Sequence, residues 1–304
     1  MAAANGSFVE MAELLRKSGD RIAELLGVEA AHVTSGGAAA LALSAAACMA
    51  GADMEKIQRL PDATAMKNEI VIQQKQRYAF DHQYAIPGAR LVEAGHGEGC
   101  TEQQLEAAFG PDTAAVAYFR MQQDEQSTVS LEKVVEIAHG RNVPVINDAA
   151  WMIYPIEFFR WNAQTPDLTC FGGKYLGAPH STGFVCGRRD LIDAVAAQGF
   201  IDTRGTGRGM KVDRQEIVGL IAALERWLAM DHQARIEGYR EQYAVIEAAL
   251  RGVRGDACYL AASFAVIRLL SATLSLIPFA PHGVSTSGTR LRVDFSMRQQ
   301  TQLR

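Results

Sequence analysis

Short apolar runs and helical patterns alternate along the chain from about residue 30 to about residue 190. The runs are rich in β-branched residues and alanine, which is typical of buried strands, and they lie at residues 31–33, 70–72, 89–92, 114–119, 143–146 and 168–171. Helical patterns lie at residues 8–26, 38–50, 131–138 and 191–195. We therefore predict an α/β fold with a mostly parallel central sheet that is flanked by helices.

The last third of the chain begins with a long helical pattern. Asp213 and Glu216 have the spacing of a capping box, and the apolar stripe that follows resumes through Ile246. Beyond Gly255 the chain carries little pattern. We predict a large domain over residues 1–230, which includes the N-terminal helix, and a small C-terminal α/β domain over residues 231–304 that is incomplete or atypical.

Composition narrows the class of protein. With 48% hydrophobic and 21% charged residues, the 304-residue chain is expected to be soluble and globular. A net charge of −4 provides no general basic field, so nucleic acid is not an expected partner. The five cysteines are scattered and form no Cys-x-x-Cys pair, which argues against a disulfide framework and against a zinc site. We expect no metal site and a reducing, cytoplasmic environment.

Neither a secretory signal nor a membrane span is predicted. The N-terminal residues lack a basic region followed by an apolar block. The one long apolar run, Ala257–Ala280, contains Arg268 and several hydroxyl residues, so a buried element is favoured over a membrane span.

An acid and an amine follow two of the predicted strands. The run at 143–146 leads into Asp148, and the run at 168–171 leads through two glycines into Lys174. Ligands of open α/β sheets bind at the carboxyl ends of strands, and pyridoxal phosphate chemistry needs a lysine amine together with a carboxylate on the pyridine nitrogen. The alternative is a surface lysine after a glycine turn and an aspartate that caps a helix. This pair alone does not separate the two.

A glycine turn precedes the alanine-rich helix at residues 38–50. Ser35 can cap this helix, and the free N–H groups that follow it can face a phosphate; the predicted cradle is Ser35, Gly36 and Gly37. The alternative is a glycine turn that merely starts a core helix.

Two loops carry candidate substrate contacts. The loop at 73–87 contains Gln76 and Arg77 among several aromatic residues, and could place a ring on a planar cofactor and a guanidinium on a substrate anion. The loop at 203–211, with Arg208 and Lys211, could meet phosphate or carboxylate. Each loop has an alternative interpretation as an exposed polar connector.

Four sequence blocks together resemble the fold-type I pyridoxal phosphate enzymes. The nearest resemblance is to the group that holds selenocysteine synthase (L-seryl-tRNA(Sec) selenium transferase) and D-glucosaminate-6-phosphate ammonia lyase. It extends over roughly residues 8 to 250, and the blocks are Thr34–Gly37 (TSGG), Asn147–Ala150 (NDAA), Phe171–Gly183 (FGGKYLGAPHSTG) and Gly207–Val212 (GRGMKV).

The resemblance implies pyridoxal 5'-phosphate as cofactor and a role for each matched residue. Lys174 would form the Schiff base, Asp148 would pair with the pyridinium nitrogen, and Ala150 would lie against the ring. The phosphate would be held by Ser35, Gly36 and Gly37. Arg208 and Lys211 fall where the family places cations that face the substrate, often across a dimer interface, so a homodimer or higher homo-oligomer is expected.

Three departures from the family pattern bear on these roles. Phe171 stands where a serine commonly reaches the phosphate. Gln76 stands where a ring-stacking histidine is expected, which leaves Tyr78 or Phe80 as alternatives. The run after Gly95 differs from that of selenocysteine synthase, and together with the acidic charge balance this argues against transfer-RNA as the substrate.

The resulting functional hypothesis is a pyridoxal phosphate-dependent lyase. It would remove an α-proton from an amino acid or amino-sugar acid through Lys174 and then eliminate a β-substituent. The alternatives are a selenocysteine synthase-like transferase acting on seryl-tRNA, and a protein that retains the fold without turnover.

Overall fold

A computed structural model of the chain describes residues 1–119, 127–201 and 204–250. It contains seven strands: β1 Ala30–Thr34, β2 Glu69–Gln73, β3 Arg90–Ala94, β4 Thr113–Phe119, β5 Val145–Asp148, β6 Leu168–Gly172 and β7 Gly183–Gly187. Around them lie α1 Ala2–Asn5, α2 Met11–Leu26, α3 Gly37–Ala50, α4 Met54–Arg59, α5 Glu102–Ala107, α6 Leu131–His139, α7 Ile156–Gln164, α8 Arg189–Ala197, α9 Arg214–Leu228 and α10 His232–Leu250. Short 3-10 turns occur at Gln74–Gln76, Asp81–Ala85, Gly173–Leu176 and Thr206–Gly209.

All seven strands form one sheet in the order β1-β7-β6-β5-β4-β2-β3. Strands β2 to β6 pair in parallel with their neighbours among themselves, whereas β7 is antiparallel to both β1 and β6. The predicted α/β fold with a mostly parallel sheet is therefore confirmed. The antiparallel β7 was not predicted, because a five-residue strand that begins and ends with glycine has only three residues between them, too short an apolar pattern to distinguish it from the preceding loop.

Helices cover the two faces of this sheet. On one face, the alanine-rich α3 is almost wholly buried and packs with α8 against residues such as Ile70, Ile146 and Cys170. On the other face, α2, α7 and α9 enclose a cluster that includes Phe171 and Phe184, and α6 covers Val116 and Val145. Small alanine side chains allow α3 to lie close to the strands, which brings its N-terminus to the sheet edge.

The predicted helix starts and stops are largely confirmed. A capping box begins α9, in which Asp213 accepts a hydrogen bond from the Glu216 N–H at 2.8 Å and Glu216 accepts one from the Asp213 N–H at 3.1 Å. Helix α2 ends at Gly27 in the left-handed conformation. The short helices α4, α5 and α7 were not distinguished from loops by the apolar pattern.

The predictions for residues beyond 250, including the apolar run at 257–280, lie outside the described part of the chain. Within that part, no helix combines the length and the apolarity needed to cross a membrane.

Candidate functional site

The acid and the lysine follow neighbouring strands, as predicted. Asp148 is the last residue of β5 and lies opposite Cys170 in the parallel β6, and Lys174 follows the end of β6 by two residues. Backbone hydrogen bonds continue past the strand ends, from Ala149 N–H to Cys170 O at 3.1 Å and from Gly172 N–H to Ala150 O at 2.9 Å. Both functional groups are thus carried to the carboxyl edge of the same strand pair.

The N-terminus of α3 opens at this edge. Its first backbone hydrogen bond runs from Ala40 N–H to Gly36 O at 3.0 Å, so the N–H groups of residues 37–39 have no acceptor within the helix. The residues of the turn are partly exposed. Three free donors and the positive end of the helix dipole make this an anion-binding geometry.

The prediction that Ser35 caps α3 is wrong. The N-cap residue is Gly36, and no side chain forms a cap hydrogen bond with this helix. Instead, the Thr34 hydroxyl donates to Gly36 O at 3.0 Å and fixes the turn from the preceding strand. The reason is backbone conformation: Gly36 has φ 138° and ψ 169°, which shifts the start of the helix one residue beyond the serine.

Close backbone approaches join the glycine turn to the neighbouring blocks. A Cβ built on Gly37 would lie 3.5 Å from the Ala150 Cβ, and one built on Gly183 would lie 2.6 Å from the Gly36 carbonyl carbon. Glycine is required at position 183, because any side chain there would collide with the backbone of the turn. The blocks around Gly37, Ala150 and Gly183 therefore meet at one place.

The Asp148 carboxylate is buried, with 5% of its surface exposed. Its Oδ1 accepts a hydrogen bond from the Ala150 N–H at 3.1 Å, and its Oδ2 accepts one from the Tyr78 hydroxyl. Burial raises the pKa of Asp148, and the two hydrogen bonds act against that rise. Because burial favours the neutral form, hydrogen-bond donors or a cationic partner are needed to keep this carboxyl ionised.

Lys174 differs from Asp148 in its environment. Its side chain is exposed, and the Nζ lies 5.1 Å from the centroid of the Tyr175 ring. Lys174 belongs to the 3-10 turn that ends at Gly177, which adopts a left-handed conformation with φ 80°. The Lys174 amine is therefore accessible to solvent.

Phe171, at the position where the family commonly has a serine, packs in the hydrophobic core. It is fully buried, and its ring centroid lies 4.8 Å from that of Phe159 and 5.1 Å from that of Phe184. A phenyl ring supplies no hydrogen-bond donor, so the predicted phosphate contacts are limited to those at the N-terminus of α3.

Gln76 and Arg77 make contacts within the protein. Gln76 is 1% exposed, and its Oε1 accepts a long hydrogen bond of 3.5 Å from the Phe119 N–H. Arg77 forms ion pairs with Asp81 and with Glu93, and the hydrogen bond to Asp81 raises the pKa of the arginine. The loop is an ordered support of the site, and the substrate roles of both residues stay predictions.

Arg208 and Lys211 both lie exposed in the segment before α9. Arg208 donates to Phe200 O at 3.3 Å. Within the described residues, neither cation forms a hydrogen bond with another predicted site residue, and their role toward a substrate remains a prediction.

Tyr78 is the site residue whose role was missed. The sequence suggested it only as an alternative ring for stacking, whereas its hydroxyl bonds to Asp148 across 70 positions of chain. No local pattern indicates which way a loop tyrosine points, so this contact is visible only in the folded chain.

Curated relatives share most of this chain. No protein-family model matches it. It is 34% identical over 255 residues to a 5'-C-glycyluridine monooxygenase-decarboxylase of Streptomyces sp, covering 81% of this chain and 62% of the relative. It is 30% identical over 260 residues to D-glucosaminate-6-phosphate ammonia lyase of Salmonella typhimurium, covering 84% of this chain and 67% of that protein.

A solved structure of the same kind of enzyme as the second relative is also similar to this chain. The structure of a D-glucosaminate-6-phosphate ammonia-lyase superposes with a TM-score of 0.69 at 31% identity, covering 74% of this chain and 61% of that one. The chain thus spans about two thirds of the length of these relatives or somewhat less. It belongs to the group of fold-type I pyridoxal phosphate-dependent enzymes that includes D-glucosaminate-6-phosphate ammonia lyase and L-seryl-tRNA(Sec) selenium transferase.

Proposed function

We propose that this protein binds pyridoxal 5'-phosphate through Lys174 and acts as a lyase. The reaction is α-proton abstraction followed by β-elimination on an amino acid or amino-sugar acid. One observation carries the proposal: the strand ends that bear Asp148 and Lys174 are hydrogen-bonded neighbours and meet the free N-terminus of α3 at the same sheet edge.

The residues at this edge fit the cofactor. The unpaired N–H groups at the start of α3 suit a phosphate dianion, and the partly exposed Ala150 offers a small apolar surface to one face of a ring. The buried Asp148 suits a protonated pyridine nitrogen, because a cationic partner offsets the cost of burying a carboxylate.

Each residue then has a defined chemical task. When bound, pyridoxal phosphate delocalises the negative charge that develops on the substrate α-carbon. Asp148 would hold the ring nitrogen of the cofactor in its protonated form. The Lys174 amine would hold the cofactor and, once the substrate amino group has taken its place, would accept the α-proton at Nζ. The electron pair of the broken C–H bond would then expel the β-substituent with its bonding electrons.

Decarboxylation is a second candidate, since a relative at 34% identity is named a monooxygenase-decarboxylase. In that reaction the α-carboxylate would leave as carbon dioxide, and the α-proton would stay on its carbon instead of moving to Lys174. Exchange of the substrate α-proton with deuterated solvent supports the lyase, whereas release of carbon dioxide without such exchange supports the decarboxylase. Absence of both with the cofactor bound would support a protein without turnover.

The organisation of the whole protein is also part of the proposal. We place it in the cytoplasm as a homodimer or higher homo-oligomer, with a large domain over residues 1–230 and a small one over residues 231–304. The small-molecule substrate and the acidic net charge of −4 support a role away from nucleic acid. Sedimentation of the purified protein measures the oligomeric state.

The direct test is replacement of Lys174 by alanine. The wild-type protein, mixed with pyridoxal phosphate and reduced with borohydride, should retain the cofactor on the peptide that contains residue 174. The Lys174→Ala variant should stay colourless and carry no such adduct, since its methyl group cannot form an imine. Mass spectrometry of the digested protein locates the adduct.

Lys56→Ala is the matched control, because Lys56 is an exposed lysine of α4 that pairs with Asp53 and has no predicted site role. It should bind the cofactor as the wild type does. Equal colour and equal labelling of the Lys174→Ala protein would overturn the assignment.

A further inference from the structure

Two tyrosines face the buried carboxylate of Asp148. Tyr78 donates its hydroxyl to Oδ2, while the backbone N–H of Ala150 donates to Oδ1, so each carboxylate oxygen has one donor. Tyr84 is fully buried beside them. Its hydroxyl influences the pKa of Tyr78, but among the described residues it makes no hydrogen bond of regular geometry. Of the two phenols, Tyr78 is the one that engages the carboxylate.

Tyr78 is held in place from several directions. Its ring stacks on Phe119 with a centroid separation of 4.0 Å and an interplanar angle of 15°. Its backbone N–H donates to the Oδ2 of Asp81 at 3.2 Å, and the buried Asp81 is itself paired with Arg77. Phe119 in turn lies opposite Asp148 in the β4–β5 pairing. Tyr78 is thus held by contacts at its ring, its backbone N–H and its hydroxyl.

We propose that Tyr78 is a positioning residue that keeps the Asp148 carboxylate ionised and aimed at the ring nitrogen of the cofactor. This inference rests on the proposed function for the identity of the cofactor. The contact between Tyr78 and Asp148 itself is independent of any bound molecule.

The physical reason is the cost of burying a charge. Burial favours the neutral form of a carboxyl, and a hydrogen bond to the charged form works in the opposite direction. A neutral Asp148 could not pair with a protonated pyridine nitrogen. Tyr78 remains a donor throughout, because burial foremost, with the nearby Asp148 charge, raises its pKa.

The other ionisable groups that face Asp148 do not replace this donor. Among the described residues these are Tyr84 and, on the neighbouring strand β6, Cys170. Burial raises the pKa of both, so both are neutral near pH 7 and contribute no charge. Among the described residues, the hydrogen bonds from Tyr78 and Ala150 are therefore the contacts that favour the ionised form of Asp148 in the free protein.

A first experiment needs no cofactor. The Tyr78→Phe variant keeps the stacked ring and removes only the hydroxyl. The pKa of Asp148 then rises further above its unfolded value near 4, because the lost hydrogen bond stabilises the ionised form. The destabilisation relative to wild type should therefore be greater at pH 8 than near pH 4, where a raised pKa keeps the carboxyl mainly protonated. We expect the unfolding equilibrium constant to change by roughly five- to tenfold more at pH 8.

Two controls isolate the contact. In an Asp148→Asn background, the Tyr78→Phe change should lose its pH dependence, because residue 148 no longer ionises. Tyr84→Phe removes the second phenol hydroxyl, which among the described residues donates no hydrogen bond to Asp148, and should show a much smaller pH dependence. Equal behaviour of the Tyr78 and Tyr84 variants, or persistence of the effect in the Asp148→Asn background, would overturn the proposal.

A second experiment adds pyridoxal phosphate. The Tyr78→Phe protein should bind it roughly tenfold more weakly than wild type, because a charge-assisted hydrogen bond is lost. The pH at which the absorbance of the bound cofactor changes should also differ from that of wild type. Unchanged or tighter binding would overturn the positioning role, and tighter binding would mean that Tyr78 competes with the ring. Failure of the wild type to bind would overturn the proposed function instead, while the stability experiment would still decide the role of Tyr78.

Discussion

The backbone at Gly36 occupies a region that is almost closed to other residues. Its φ of 138° with ψ of 169° places the residue where side-chain-bearing amino acids are strained by about 1–3 kcal/mol. A Cβ at this position would meet no atom within 4 Å, so the requirement for glycine comes from backbone conformation and not from space. The geometry of the turn that precedes α3, where we propose that the phosphate binds, thus depends on glycine at residue 36.

Replacing Gly36 by alanine should lower the free energy of unfolding by about 1–3 kcal/mol, or release the strain by altering the turn. Chemical denaturation of the cofactor-free protein measures the first effect and pyridoxal phosphate affinity measures the second. Gly97→Ala is the control, because a Cβ at residue 97 also meets nothing and the glycine has no positive φ. Equal stability and equal affinity of both variants would contradict the argument from strain.

At the residue scale, the sequence motifs predicted where Asp148 and Lys174 lie but not which residue contacts Asp148. Asp148 and Lys174 were correctly placed at neighbouring strand ends, because the lengths of the two apolar runs and of the single crossover between them are readable locally. The partner of Asp148 was not readable, because the direction of the Tyr78 side chain is set by Phe119 and Asp81, which approach only in the folded chain.

At the scale of elements, the start of α10 contacts the preceding structure through His232, Arg235 and the buried Ile236. The Arg235 guanidinium carbon lies 4.7 Å from the Trp227 ring centroid, 5.1 Å from that of Tyr154 and 5.5 Å from that of Tyr239. Trp227 is itself fixed by its indole N–H, which donates to Ile153 O at 2.9 Å. The cation–π contacts of Arg235 with Trp227 and Tyr154 therefore join α10 to residues outside the helix, whereas Tyr239 belongs to α10 itself.

The Arg235→Ala variant should lose about 1–2 kcal/mol of stability and expose the amides of α10 to faster hydrogen exchange, since several cation–π contacts disappear together. Arg240→Ala, on the same helix, removes an exposed ion pair to Glu237 at 3.0 Å and should cost less than about 1 kcal/mol. Mass-detected hydrogen exchange resolves the helix from the sheet. The explanation fails if exchange in α10 responds equally to both changes.

Strands with long apolar runs were predicted correctly from the sequence. The strand β7, which is defined by its pairing with other strands, was not. The strands from β2 to β6 were found from their β-branched and alanine content. The strand β7 depends on its antiparallel pairing with both β1 and β6, which places five residues in a fully buried position without a distinctive local sequence.

At the scale of the whole molecule, the dependence of stability on pH includes a buried histidine. His32 of β1 is 8% exposed, and burial lowers its pKa from 6.5 to about 4. A histidine with a depressed pKa in the folded state binds a proton more readily when unfolded. Its contribution is fully present above pH 6.5 and is lost as pH falls toward 4.

Wild-type protein should accordingly lose about 3 kcal/mol more stability than a His32→Gln variant between pH 6.5 and pH 4. Comparing the two proteins cancels the opposite contribution of Asp148, whose raised pKa favours folding as pH falls. Denaturant titrations at several pH values measure the difference. Parallel pH profiles for the two proteins would mean that His32 is protonated in the folded state or exposed to solvent.

The sequence by itself determined the α/β class, the alternation of strands and helices, and the delivery of an acid and a lysine to one sheet edge. Apolar periodicity and connection lengths are local properties, and they suffice for those conclusions. Only the tertiary structure decided that β7 runs antiparallel, that Gly36 and not Ser35 begins α3, and that Arg77 is paired with acids. It also decided that Tyr78 bonds to Asp148, because contacts between residues distant in sequence depend on side-chain directions that no local pattern encodes.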